Sequence, residues 1–303
     1  MSSSKVYYTK ETSPEALLKM FKIFNKPLKG NIGIKIHSGE AGNKNFLRPE
    51  FIKPLVDHVK GTIIETCTAF NLGERINVEK HKKLLENHGW SKNFTVDIMD
   101  SEKPDITLEI PDGIQMKKNI IGSHTTNYDS CLVIAHFKGH GCGGFGGALK
   151  QLSIGFASRN GKYYIHSGGQ STGDYDFSSP FFLKKDERFQ KAMADAATSV
   201  VRLFNKKEKN MIFINVMKNI SVDCDCNGHA VPPCMKDMGV LISDDPVAID
   251  QACVDLIYNS EDEGKKDMIE RIESRCGLAI FDAAEKLGAG TRKYELINVD
   301  ERK

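Results

Sequence analysis

Two stretches of the chain concentrate the side chains able to do chemistry. The first runs from His136 to Lys150 and carries His136, His140, Cys142 and Lys150 among Gly141, Gly143, Gly144, Gly146 and Gly147. Imidazoles can move protons or bind metal. A cysteine becomes a ligand or nucleophile as its thiolate. Glycines let the backbone approach a bound group closely, so the five glycines are candidate cofactor-binding positions. The stretch sits between an apolar strand and an expected helix, whose first N–H groups would suit an anion. His136, His140 and Lys150 are therefore candidate catalytic residues, with Lys150 placed to hold substrate charge. The spacing lacks the Gly-Lys-Ser/Thr ending of a phosphate-binding loop and the glycine pattern of a dinucleotide fold.

The second stretch places Cys224, Cys226 and Cys234 within eleven residues, with His229 between them. Residues two apart on an extended chain point the same way, so Cys224 and Cys226 can serve one centre. Asn227-Gly228 and Pro232-Pro233 bend the chain and can bring Cys234 back. Thiolates suit zinc, cuprous copper and iron–sulfur clusters. The spacing matches neither a bacterial ferredoxin run nor a zinc ribbon. Three close thiols and a remote one fit a cubane, so a 4Fe-4S cluster on Cys142, Cys224, Cys226 and Cys234 is the first reading. Cys67 and His229 are substitutes for the remote ligand. Zinc or another single metal is the second reading, and unliganded or redox-paired thiols the third.

Polar loops after other strands can complete such a site. His37 and Glu40 follow an apolar strand at 31–36 and could bind metal or shuttle protons. Glu65 and Cys67 follow a second short strand, and Arg75 could grip a carboxylate or phosphate. Asp245 before Pro246 reads as a helix cap. Asp250, one turn later, would contact the cysteine loop or cap a polar network.

The elements that must position these groups alternate. Helices are expected over 14–24, 49–59, 76–88, 186–204, 246–258 and 267–287, the last with a break at Gly277. Strands are expected over 31–36, 62–65, 95–99, 131–136, 211–217, 239–243 and 294–299, with a hairpin over 107–120. This predicts an α/β fold with a mixed or mostly parallel sheet and helices on both faces. Such sheets collect ligands beyond the carboxyl ends of their strands. The segment 155–180, rich in glycine and serine, reads as a long irregular connection, and 206–209 as a basic turn. The chain reads as one α/β unit over 1–303, with 1–128 and 129–303 as two intertwined lobes in the alternative.

A chain of 303 residues can bury a large core and needs no disulfide framework. Its eight cysteines are then thiols or ligands, with Cys131 and Cys253 read as core residues. A net charge of +2 gives no nucleic-acid groove. No apolar run is long enough for a membrane span and no export signal opens the chain, so a soluble cytoplasmic protein is expected.

These residues resemble the family called domain of unknown function 362. The matching pieces are 34–40, Arg48-Pro49-Glu50, 65–75, 136–150 and 224–250. The pairing of His-Phe-Lys-Gly-His and Gly-Phe-Gly-Gly-Ala-Leu-Lys with a later Asp-Pro-Val-Ala-Ile-Asp is more specific than either loop alone. The resemblance implies an iron–sulfur protein, although this chain lacks the regular ferredoxin run of some members. The family is also distantly similar to the lactate racemase fold, which implies a nickel-containing nucleotide cofactor and directs attention to His37, His136, His140 and Lys150. The first functional expectation is thus an iron–sulfur or other metal-binding oxidoreductase with a small anionic substrate and a redox partner. The alternatives are a racemase or isomerase with a metal-bound cofactor, and a non-catalytic metal-binding assembly module.

Overall fold

The computed structural model describes residues 3–69, 73–102, 104–173, 186–206 and 211–301. The strands are β1 (Ser4–Thr9), β2 (Ile32–Lys35), β3 (Thr62–Glu65), β4 (Val96–Ile98), β5 (Ile106–Glu109), β6 (Lys118–Ile121), β7 (Ser130–His136), β8 (Lys138–His140), β9 (Gly144–Gly146), β10 (Met211–Met217), β11 (Gly239–Ser243) and β12 (Tyr294–Asn298). Eight of them form one sheet in the order β12-β1-β11-β10-β7-β2-β3-β4. Within it, β11 runs against both β1 and β10, and every other pairing is parallel. The α/β expectation holds.

Why these residues form central strands is visible in β7 and β10. Both are buried along their whole length. Alternate side chains leave a strand on opposite faces. Cys131 and Val133 accordingly join one apolar core and Leu132 and Ile134 the other. One face is covered by α1 (Pro14–Phe24) and α2 (Pro49–Val59), with α3 (Val78–Asn87) and α4 (Trp90–Asn93) beside them. The other carries α5 (Ala148–Phe156), α6 (Arg159–His166), α7 (Arg188–Asn205), α8 (Pro246–Tyr258), α9 (Lys265–Ser274) and α10 (Ala279–Lys286). No helix among the described residues is long and apolar enough to cross a membrane.

Two local expectations change. The glycine-rich stretch is not an open loop: β8 and β9 pair as a hairpin, with His140 opposite Gly144. The 155–180 connection contains α6, which starts on Ser158 accepting from the Gly161 N–H. A Cβ at Gly161 would lie 1.8 Å from the Ile120 carbonyl, so the glycine inside this helix is there for close packing. Residues 174–180 of that connection and 207–209 of the basic run lie outside the described residues.

Candidate functional site

Because β2, β3, β7 and β10 run the same way, the loops after them share one sheet edge. This brings the two chemically rich stretches together. The Gly139 N–H donates to Ser221 O at 2.7 Å, and a Cβ there would stand 2.3 Å from Val222 O. Only glycine allows the hairpin to lie that close to the chain leading into Cys224.

At the meeting point, ligand atoms of His140, Cys224 and Cys226 all lie within 4.8 Å of one another. Lys150 Nζ is 3.2 Å from Cys224 Sγ, and the Cys226 N–H points to the same sulfur at 3.4 Å. A hydrogen bond from the Cys226 thiol pulls the Cys224 pKa well down; burial opposes this, and Lys150 and His140 reinforce it. Cys226 is pushed up in consequence. Burial works against the Lys150 charge, yet the sulfurs beside it raise its pKa. Burial and Lys150 lower the pKa of His140. Its Nδ1 accepts from the N–H groups of Gly143 at 2.9 Å and Cys142 at 3.3 Å.

These groups open into a cavity of about 330 Å³. Its wall holds four basic side chains, Lys35, Arg75, Lys150 and Lys162, against one carboxylate, Glu65. Glu65 is matched by Lys35 at 2.8 Å. It also accepts from the Ser38 N–H and hydroxyl. Burial alone would raise its pKa, but Lys35, His37 and Arg75 hold it well below the usual range. The balance of the wall is cationic, as a bound anion requires. His37 and His166 also line it. Burial, with Arg75, pushes His37 well below its ordinary value. Burial takes His166 to about 3. Both rings are neutral at pH 7.

The other expected site residues fall elsewhere. His136 is buried, with Nδ1 2.9 and 3.0 Å from the Asp225 oxygens and Nε2 2.6 Å from Lys218 O. It braces two loops and is not part of the cavity wall. Glu40 accepts from the Glu74 N–H at 2.7 Å and pairs with Arg75 at 3.3 Å, so it positions Arg75. Gly141 is exposed, Gly143, Gly144, Gly146 and Gly147 are buried, and none of the five lines the cavity. The start of α5 is already occupied by an anion: Asp250 accepts from the N–H groups of Ala148 at 2.7 Å and Leu149 at 2.9 Å.

The iron–sulfur reading is overturned here. The grouped donors are one imidazole and two thiols, where a 4Fe-4S cluster needs four ligands. Cys142 lines the cavity outside that group. Cys234 turns its thiol to Ile220 O at 3.4 Å and takes no part. The oxidoreductase expectation built on the cluster goes with it. A His/Cys/Cys set suits a single thiophilic divalent ion such as zinc or nickel.

A family model for Domain of unknown function (DUF362) matches residues 32–255. The chain belongs to this family. The match takes in β2 through most of α8, and so every element that carries the DUF362 site. A comparison with curated proteins finds no match. Among solved structures, the DUF362 chain is similar to the lactate racemase apoprotein from Thermoanaerobacterium thermosaccharolyticum. Identity is 17%, the likeness covers 69% of this chain and 50% of that one, and the TM-score is 0.40. It is also similar to a Thermotoga maritima protein, at 12% identity, 88% and 57% coverage, and a TM-score of 0.42. The DUF362 chain thus spans half the length of the first and somewhat more than half of the second. Both are distant likenesses of fold.

Several residues of the site escape sequence reasoning. Lys35 sits in a strand that reads as core, although a lysine in a doubly covered strand is itself a signal. Lys162 and His166 fall in a stretch read as irregular. Asp225 is hidden between two cysteines that draw attention first.

Proposed function

We propose that this chain is a cytoplasmic enzyme that holds one divalent metal on His140, Cys224 and Cys226 and acts on a small anion in the adjoining cavity. The observation that carries the reading is a soft three-donor group, two members of which, His140 and Cys226, line a cavity whose buried charges are mainly basic. A free-thiol site of this kind belongs in a reducing compartment, and all eight cysteines are free. When bound, such an ion supplies Lewis-acid polarisation of a substrate oxygen.

The chain's own groups supply the rest. Arg75, held by Glu40, offers a planar cation for a carboxylate. Lys150 stays charged against Cys224 and adds to the field. His37, in the same wall, is the group that would take a proton from a carbon beside that carboxylate once the bound anion offsets Arg75, a charge that helps hold its pKa down. The class of reaction is therefore proton transfer, as in a racemase or isomerase.

Two measurements test this. Metal analysis of the purified protein should find about one zinc or nickel per chain without acid-labile sulfide, and Cys224→Ser and Cys226→Ser should each lose it. Small 2-hydroxy and 2-amino acids in deuterium oxide should exchange their α-hydrogen by NMR, and His37→Gln should slow the exchange about 10²-fold or more. Full metal retention in the double cysteine variant would defeat the assignment.

A further inference from the structure

Lys162 is a buried amine in the cavity wall to which the reading above gives no task. Its Nζ lies 2.5 Å from Thr66 Oγ1 and 2.6 Å from Ala157 O. The Thr66 hydroxyl hydrogen already goes to Gly155 O at 3.0 Å, so Oγ1 meets Nζ as an acceptor. Two acceptors take both hydrogens of a neutral primary amine and leave its lone pair unengaged. An ammonium would bring a third N–H, for which the described residues offer no acceptor. It would also bring a charge with no carboxylate at ion-pair distance among those residues. Burial lowers the Lys162 pKa, Asp100 and Glu65 pull it back at longer range, Lys35 opposes them, and it settles at about 8. A buried amine beside a second cation is the arrangement that activates a lysine.

We propose that Lys162 is an amine nucleophile that forms a reversible imine with the carbonyl carbon of a small oxo-acid bound in this cavity. The nitrogen lone pair adds to the carbonyl carbon to give a carbinolamine. The carbonyl oxygen then leaves as water with the two hydrogens that the amine carried, and a C=N bond remains. Arg75 and Lys150, in the same wall, supply positive charge for the carboxylate. This rests on the small-anion reading of the cavity and not on the metal.

The test uses the full-length protein, pyruvate and sodium cyanoborohydride at pH 7.5. Hydride goes to the imine carbon and a solvent proton to nitrogen, leaving a stable carboxyethyl group on the lysine. At this pH an amine of pKa about 8 has roughly a hundredfold more neutral form than an ordinary lysine. Peptide mapping should find Lys162 modified at least tenfold above any other lysine, and Lys162→Arg should abolish that adduct. Acetone, which lacks the carboxylate, should modify Lys162 at least tenfold more slowly once each probe is normalised to a simple alkyl amine. Labelling spread over exposed lysines without enrichment at Lys162 overturns the proposal, and mapping of the unaltered protein decides this even if the variant does not fold. Equal normalised rates for acetone and pyruvate overturn the oxo-acid assignment. Metal content is read on the same sample: bound metal with an unlabelled Lys162 sinks the imine alone, and a labelled Lys162 without metal sinks the metal centre alone.

Discussion

Two histidine–lysine pairs leave the end of β7 and meet different acceptors. His136 and Lys138 converge on Asp225, at 2.9 and 2.8 Å. His140 and Lys150 converge on Cys224. The first trio is closed, because a carboxylate sits between two strong donors and the second imidazole nitrogen is also taken. The second is open, because a sulfur holds the charge more softly and its neighbours face a cavity. The same residue types thus do structural work against oxygen and can do chemistry against sulfur.

The comparison can be broken first at Asp225, where the largest effect on stability is expected. Asp225→Ala leaves Lys138 buried without its partner and should cost about 3–5 kcal/mol, read from the urea midpoint at constant slope. A loss below about 1 kcal/mol would mean the trio is no brace. The acid is also a pH probe. Burial opposes its charge, but His136 and Lys138 outweigh burial and hold its pKa below the ordinary value. Its contribution is then fully present above the unfolded carboxylate range near 4 and is lost as the pH falls through the folded value. Asp225→Asn should flatten that acid limb.

The open trio should respond less in stability and more in binding. Cys224→Ala strands a buried lysine and should cost about 1–3 kcal/mol in the metal-free protein. Its metal content should drop to background by elemental analysis. His140→Ala should weaken metal binding beyond the roughly 10–100-fold typical of losing a supporting contact, measured against a chromogenic chelator. If either variant binds as the parent does, the two trios do not differ in the way described.

The smallest effect belongs to the hairpin tip. A Cβ at Gly141 meets nothing within 4 Å. Gly141→Ala should change stability by less than about 0.5 kcal/mol and leave the metal count unaltered. A measurable loss of metal would return the glycines to the role of a cofactor cradle.

Much of the frame was legible in the sequence. The uniformly apolar 131–136 and 211–217 stretches announce central strands. Asp245 caps α8 as its position before Pro246 implies, accepting from Val247 and Ala248 at 2.9 Å. The break near Gly277 appears as the gap between α9 and α10, with Cys276 at φ 50°. The opening strand β1 has a weaker signature, because only Val6 and Tyr8 alternate into the core and it gains its place by pairing with β11 and β12. The meeting of residues 136–150 with 224–226 follows from strand direction and was anticipated. Which thiols take part did not follow, because it depends on how the 227–234 turn is held. Spacing treats Cys234 as equivalent to Cys224, and the Ile220 carbonyl removes it. The glycines read as a ligand cradle because sequence does not reveal that Asp250, a hundred residues away, fills the start of α5.

One feature ties the site to the history of the chain. The loop after β2 clasps the cysteine turn: Asn43 Nδ2 donates to Asn227 O and Asn45 Nδ2 to Val231 O, both at 2.8 Å, and the Glu40 N–H donates to Asp225 O at 2.9 Å. These links join segments about 184 to 186 positions apart, and contacts of such long range form late. A newly made polypeptide would carry its two neighbouring sulfurs for some time before the surrounding grip exists. Loading with a metal ion is then an event of the finished fold, and a cell short of that ion would accumulate assembled but empty protein.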